Sequence, residues 1–105
     1  MVNLMHDLYS MMDEEIDGAE CYAEKALSYK ETMPELAKTF YQMSADEMKH
    51  ASTIEAEIKR AIASEKAKHP QEVTGTMDMI YTFMHDQFAR KVVKIQTMQA
   101  KYREG

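Results

Sequence analysis

The chain has 105 residues and a formal net charge of −5, which argues against nucleic-acid binding because phosphate backbones require a basic surface. Its length fits a single domain over residues 1–105 with a modest core. No stretch approaches the roughly 18 apolar residues of a membrane span, and Asp7 stands where a signal peptide would be apolar, so a cytoplasmic protein without a membrane partner is expected.

The first predicted element is a helix over residues 3–30. Apolar residues recur at spacings of three and four, which is typical of a helix face that packs against a core. One carboxylate, Glu15, interrupts this stripe, and a carboxylate removed from water must be paired, neutralised or bound to a metal. The stripe consists of Leu4, Leu8, Met11, Glu15, Gly18 or Ala19, Tyr22, Ala26 and Tyr29.

The other carboxylates on this helix are predicted either to replace Glu15 as a ligand or to face solvent. Glu14 is the alternative to Glu15 as a metal ligand. A separate acidic row is predicted to face solvent, and it consists of Asp13, Asp17, Glu20 and Glu24.

A second helix is predicted over residues 33–68, with Thr32 and Glu35 as a capping box and Pro34 in the first turn. Its apolar stripe contains Glu47 and His50, whose spacing of three places a carboxylate and an imidazole on one helix face, within reach of a common ion. The stripe consists of Leu36, Phe40, Met43, Glu47, His50, Ile54, Ile58 and Ala61.

The short connection between the two helices predicts an antiparallel pair. Reflecting the chain about residues 31–32 places Glu15 opposite residues 47–49, so Glu15, Glu47 and His50 are predicted to meet as a metal site. Carboxylate and imidazole ligands suit iron(II), manganese or zinc. The alternative interpretation is a buried network of salt bridges and hydrogen bonds that holds two helices in register.

A third helix is predicted over residues 75–103, after a turn-rich connection that starts at His69. Between Met77 and Tyr102 it contains no glutamate, and its candidate ligands are only Asp78, His85 and Asp86. His85 is more simply interpreted as a partly buried histidine bonded to a neighbour. The predicted fold class is therefore all-α, an antiparallel hairpin of long helices followed by a third helix.

Sulfur-containing residues are interpreted as packing groups. The single cysteine, Cys21, excludes an intrachain disulfide and cysteine-based metal sites within one protomer. Eleven methionines would suit copper(I), but most lie on or beside the apolar stripes, where flexible side chains fill irregular gaps.

Two segments resemble the ferritin-like superfamily, with rubrerythrins and encapsulated ferritins closest. The segment from Glu15 to Tyr22 is similar to the family's Glu followed by Tyr seven residues on, and the segment from Glu47 to Ala51 is similar to its Glu-x-x-His-Ala. The resemblance implies that Glu15 is a first-helix ligand, that Glu47 bridges two ions and that His50 is a terminal ligand. It also implies a di-iron site with ferroxidase or peroxide-reducing activity, while no catalytic residue is assigned.

One chain holds only half of the ligand set of a complete ferritin-like bundle. A homodimer or higher homo-oligomer is therefore expected, in which two copies complete a four-helix bundle and share the site, as encapsulated ferritins do. The chain ends in helix-like sequence rather than in a targeting peptide, so an encapsulin shell is not expected. The competing function is a non-catalytic helical assembly module of phage or mobile-element origin, with a structural or vestigial metal site.

Overall fold

A computed structural model describes the backbone of residues 2–68 and 70–104, and the side chains of residues 3–68, 75 and 77–104. Helix α1 spans Val2–Tyr29, α2 spans Pro34–Lys68 and α3 spans Pro70–Glu104. The described backbone contains no strand, and the all-α prediction is confirmed. No helix in these ranges combines the length and apolarity needed to cross a bilayer.

Helix α3 begins at Pro70, five residues before the predicted start. The prediction of a turn-rich connection before this helix is therefore wrong. Proline is favoured at the first helical position, and one glycine within a helix, here Gly75, destabilises it by only about 1 kcal/mol. The turn-forming tendency of Pro70 and Gly75 is therefore too weak to prevent helix formation in this segment. His69, predicted to lie on the surface, is outside the described residues.

The turn between α1 and α2 is closed by backbone hydrogen bonds. The Met33 amide donates to the Tyr29 carbonyl at 2.8 Å, and the Ala37 amide donates to the Met33 carbonyl at 2.9 Å. Met33 rather than Thr32 immediately precedes α2, so the predicted capping box is wrong by one position, while Pro34 occupies the first turn as predicted. The two helices run antiparallel and make the most extensive contact of the fold.

At many positions of α1 and α2, the buried residue is the one that follows the predicted stripe residue in the sequence. Leu4 and Met11 were predicted to be buried and are 48% and 49% exposed. Apolar residues cover two adjacent sides of α1, and periodicity alone cannot tell which side packs against the rest of the chain. The buried set on α1 and α2 consists of Met5, Tyr9, Met12, Ile16, Ala19, Ala23, Ala26, Ala37, Ser44, Ala51, Ile54, Ile58 and Ile62.

Helix α3 joins the pair through Phe88 and Ile95, which are buried, and through ion pairs with α1. Lys91 lies 3.2 Å from Asp13 and 3.3 Å from Asp17, and Lys94 lies 2.8 Å from Glu20. Asp13, Asp17 and Glu24 are exposed as predicted, but the acidic row also borders α3, because three of its four members pair with lysines of that helix. The pattern of α1 alone could not reveal this, because the complementary lysines lie more than 70 residues further along the chain.

A buried polar chain fixes the three helices relative to one another. The Ser44 hydroxyl donates to the Ala19 carbonyl at 2.7 Å and accepts a hydrogen bond from the Gln99 amide at 3.0 Å. Ser44 is fully buried, so its hydrogen bond to Ala19 is made away from water, while the one from the half-buried Gln99 is partly shielded. This chain sets the register of α2 against α1 one turn from Glu47.

Candidate metal centre

Glu15 on α1 and Glu47 and His50 on α2 meet at one level of the helix pair. One ligand atom from each lies within 4.8 Å of the other two. His50 Nδ1 is 3.3 Å from Glu15 Oε2 and 3.9 Å from Glu47 Oε1. The antiparallel turn thus brings together the three side chains that the reflected sequence placed opposite one another.

The cluster lies at the surface of the single chain rather than in its interior. The side chains of Glu15 and Glu47 are each 27% exposed, and that of His50 is 59% exposed. The full burial expected from the apolar stripes is wrong, because these residues share the side of the helices on which Leu4 and Met11 are exposed. An ion and a second chain can both approach from this side.

The neighbouring Glu15 disfavours the ionised form of Glu47. The pKa of Glu47 is raised above its usual value of 4.5, first by hydrogen bonding to Glu15, then by partial burial and by the negative charge of Glu15. His50 acts in the opposite direction and lowers this pKa. A cation bound between the carboxylates would remove the cause of the shift, because opposite charge favours the ionised form.

Gly18 makes room for the Glu47 carboxylate. A Cβ atom at this position would lie 3.3 Å from Glu47 Oε2, closer than ordinary van der Waals contact, and 3.6 Å from its carboxyl carbon, at an ordinary contact distance. Glycine within a helix lowers stability by about 1 kcal/mol relative to alanine. In the sequence, Gly18 stands out only as a position of the apolar stripe, but a glycine one turn after a stripe glutamate is also a signal of close approach.

The donor set fits a divalent transition-metal ion better than an ordinary salt-bridge network. Two carboxylates and one imidazole are ligands that iron(II), manganese and zinc accept. Among the described side chains, no lysine or arginine forms an ion pair with Glu15 or Glu47, and His50 alone neutralises them when protonated. A network built for stability would be expected to hold a permanent cation here.

The other sequence candidates do not join the cluster. Glu14 is exposed and lies outside it, so the geometry favours Glu15. Glu20 pairs with Lys94, and Asp78 pairs with Lys66 at 2.6 Å. On α3, Asp86 and His85 are exposed, which corrects the partial burial expected of His85.

Tyr22 lies two turns from Glu15 and is half-buried. Its ring stacks on that of Phe40 with the centroids 6.1 Å apart, and Tyr29 stacks on the same ring at 6.1 Å. These contacts agree with the interpretation of Tyr22 as a packing residue.

Most of the described methionines pack in or against the core, as predicted, and these include the partly buried Met48, Met77, Met84 and Met98. Met5 and Met12 are buried, whereas Met11, Met33, Met43 and Met79 are exposed. Two of the exposed methionines, Met11 and Met43, lie on the two helices that supply the cluster, and Met33 lies in the turn between these helices. A flexible thioether side chain adapts to a partner surface as readily as to a core.

Comparison with known proteins assigns the chain to a family. Searches of curated proteins and of solved structures gave no match. The family model described as Rubrerythrin matches residues 8–100, which include all three residues of the cluster and most of each helix. Rubrerythrins are ferritin-like proteins, and ferritin-like bundles build metal sites from inward-facing Glu and Glu-x-x-His residues. The chain therefore belongs to the rubrerythrin family.

Proposed function

We propose that this protein binds iron in a dinuclear site shared by two copies of the chain, and that it oxidises iron(II) or reduces peroxide there. The observation that carries the proposal is the convergence of Glu15, Glu47 and His50 at a partly exposed surface. Membership of the rubrerythrin family supports iron as the metal. Manganese or zinc would suit the same ligands.

The case for two copies begins with the ligand count. A complete ferritin-like site takes a Glu from each of two helices and a Glu-x-x-His pair from each of two others. One chain supplies half of that set, and the described side chains of α3 add nothing to it. A twofold axis beside the cluster would supply the other half, because an isologous interface places the same residues on both sides.

The surface around the cluster suits such an interface. Four large apolar side chains are exposed along the same two helices. We use the term dimer face for these four side chains, Met33 in the turn and the three ligands. On α1, Leu4, Met11 and Tyr29 follow the helical spacing of Glu15, so they share its side. On α2, Met43 precedes Glu47 by one turn. The apolar members of the dimer face are Leu4, Met11, Tyr29, Met33 and Met43.

The three ligands would have different roles in coordinating the metal. As the family resemblance implies, Glu47 would bridge two ions, while Glu15 and His50 would each bind as terminal ligands. Bound iron(II) supplies the electrons that reduce dioxygen or peroxide. Metal ligation requires an unprotonated ring nitrogen of His50 and ionised carboxylates, so metal affinity is expected to rise with pH.

The test uses protein purified without chelator and titrated anaerobically with iron(II), with light scattering on the same samples. We expect a metal-bound dimer that consumes oxygen when air is admitted. His50→Ala should lower metal affinity steeply, whereas His6→Ala should not, because the His6 side chain is 80% exposed and lies beside Asp7, outside the cluster. A monomer at micromolar concentration that takes up no metal would contradict the shared site.

A non-catalytic helical assembly module is the second candidate. The observation that favours it is the half ligand set, since a structural ion needs no open position for a reactant. This function predicts a metal-bound dimer without oxygen or peroxide consumption. The oxidation assay therefore separates the two candidates, while the metal titration tests the site that both share.

A further inference from the structure

Two exposed methionines flank the metal centre, one on each of the helices that supply its ligands. Met11 precedes Glu15 by four residues on α1, and Met43 precedes Glu47 by four residues on α2. Residues at this spacing are neighbours on one helix face, with about 5–6 Å between their Cβ atoms. Because α1 and α2 run antiparallel, Met11 lies beyond one end of the cluster and Met43 lies beyond the other end.

Both side chains are accessible in the single chain. Met11 is 49% exposed and Met43 is 36% exposed, whereas Met5 and Met12, on the core side of α1, are 9% and 4% exposed. An oxidant must reach the sulfur atom of a methionine, so exposed methionines are oxidised before buried ones. A small oxidant can therefore react with Met11 and Met43 while the core methionines are shielded.

The proposed function brings such an oxidant to the dimer face, because hydrogen peroxide is the substrate of the peroxide-reducing activity. Hydrogen peroxide transfers one oxygen atom to a thioether: the O–O bond breaks, an S–O bond forms, and the second oxygen leaves as water after a proton shift. The sulfur loses two electrons and the peroxide gains them. The product is methionine sulfoxide, and no further reactant is needed.

A sulfoxide at either position would weaken the contact between two dimer faces. Oxidation converts a flexible apolar side chain into a polar one and disrupts interfaces that contain methionine. Other exposed members of the dimer face, such as Leu4 and Tyr29, offer an apolar surface. Burial of a polar oxygen without a hydrogen-bond donor is unfavourable. An isologous contact would contain each oxidised residue twice, which doubles the effect.

We propose that Met11 and Met43 form a peroxide-sensitive modification site, and that their oxidation to sulfoxides in the separated chain prevents assembly of the dimer and of its shared metal site. This inference rests on the proposed function, because it requires the dimer face. Chains that meet excess peroxide before they pair would then bind no iron at a shared site until their sulfoxides are reduced.

The test treats the metal-free full chain with hydrogen peroxide, so that iron cannot generate radicals from the peroxide. Catalase removes the excess, and iron(II) is then added without air. Peptide mass spectrometry measures sulfoxide at each methionine, and light scattering measures the dimer. We expect sulfoxide at Met11 and Met43 and a dimer that is weaker by at least roughly 10-fold, the effect of one buried polar group without a partner.

Three variants assign the effect to these two residues. Leucine keeps the apolar character and approximate volume of methionine, so Met11→Leu/Met43→Leu should dimerise both before and after peroxide treatment. Met79→Leu is the matched control, because Met79 is 74% exposed on α3, outside the dimer face, and this variant should lose the dimer after treatment as the unaltered chain does. Met11→Gln/Met43→Gln places polar side chains at both positions and should dimerise weakly without peroxide.

Two results after peroxide treatment would overturn this inference: loss of the dimer in the leucine double variant, or a dimer of the unaltered chain that persists with both sulfoxides present. Absence of sulfoxide at Met11 and Met43 in protein that is oxidised at Met79 would also overturn it. An untreated chain that stays monomeric with iron(II) would instead overturn the shared metal site, and this inference with it.

Discussion

Gly18→Ala should increase the stability of the metal-free protein and lower the affinity of the metal site for iron(II). The residue lies within α1, where alanine stabilises a helix by about 1 kcal/mol relative to glycine. For a domain of about this size that gain corresponds to a rise of roughly 4–8 °C in the melting temperature. The added methyl group would stand 3.3 Å from Glu47 Oε2, so the flexible carboxylate must move by a few tenths of an ångström.

That displacement matters only when the carboxylate has to meet an ion. Without metal, Glu47 can turn away at little cost because its side chain is partly exposed. With metal, it must reach the same point as Glu15 and His50, and disturbing the groups that orient a ligand typically lowers metal affinity by about 10- to 100-fold. We therefore expect Gly18→Ala to raise the melting temperature of the metal-free protein and to reduce iron(II) affinity by at least roughly 10-fold.

The chain provides a matched control in Gly75. A Cβ atom there would meet nothing within 4 Å, and the residue lies within α3. Gly75→Ala should therefore raise the melting temperature in the same direction while leaving iron(II) affinity unchanged. Calorimetric titration and thermal unfolding at one protein concentration measure both quantities. If Gly18→Ala bound iron(II) as tightly as Gly75→Ala, the role assigned to Gly18 would be refuted.

Three other perturbations test separate parts of the structure. Glu47→Gln should stabilise the metal-free protein near pH 7 and blunt the rise in melting temperature on adding iron(II) or manganese. Because the pKa of Glu47 is raised in the folded state, this residue's contribution to the free energy of unfolding is present below pH 4.5 and is lost as pH rises through the higher folded pKa. Urea unfolding at pH 4 and at pH 7 should therefore show that glutamine increases the free energy of unfolding only at pH 7. A loss of stability at pH 7 with no metal effect in either protein would instead indicate a salt-bridge network. Ser44→Ala leaves the Gln99 amide without its buried acceptor and should reduce the free energy of unfolding by about 1–3 kcal/mol, measured by urea titration; an unchanged value would show that water replaces the hydroxyl. Raising salt from 0.1 M to 1 M should speed hydrogen exchange in α3 more than in α2, because screening weakens the pairs of Lys91 and Lys94 with α1; equal acceleration would show that apolar contacts alone hold α3.

Local patterns in the sequence were sufficient to predict the helices and the level of the cluster. The spacing between Glu47 and His50 fixes their common face, and the short turn fixes which residues of α1 lie opposite them. Both features depend on helix geometry, which is the same in every protein. The start of α3 was missed because propensity is weak evidence beside the packing of a whole helix.

Features that depend on distant parts of the chain could not be predicted in this way. Most of the acidic row on α1 is exposed as predicted, but its pairing with Lys91 and Lys94 could not be predicted from α1 alone. Likewise, the buried hydroxyl of Ser44 has no recognisable pattern in the sequence, because its partners, Ala19 and Gln99, come from two other helices. Predicting either would have required the docking position of α3.

The displaced core of α1 links the fold to the proposed assembly. Periodicity selected the side that holds Leu4, Met11 and Glu15, and in the single chain that side is largely exposed. A stripe of this kind is unfavourable in water, and its carboxylate would be unusual in an ordinary core. Both difficulties disappear if a second copy covers the stripe and an ion binds its carboxylates. The same residues would then be surface in one chain and core in the dimer, so the interface and the metal site would form together.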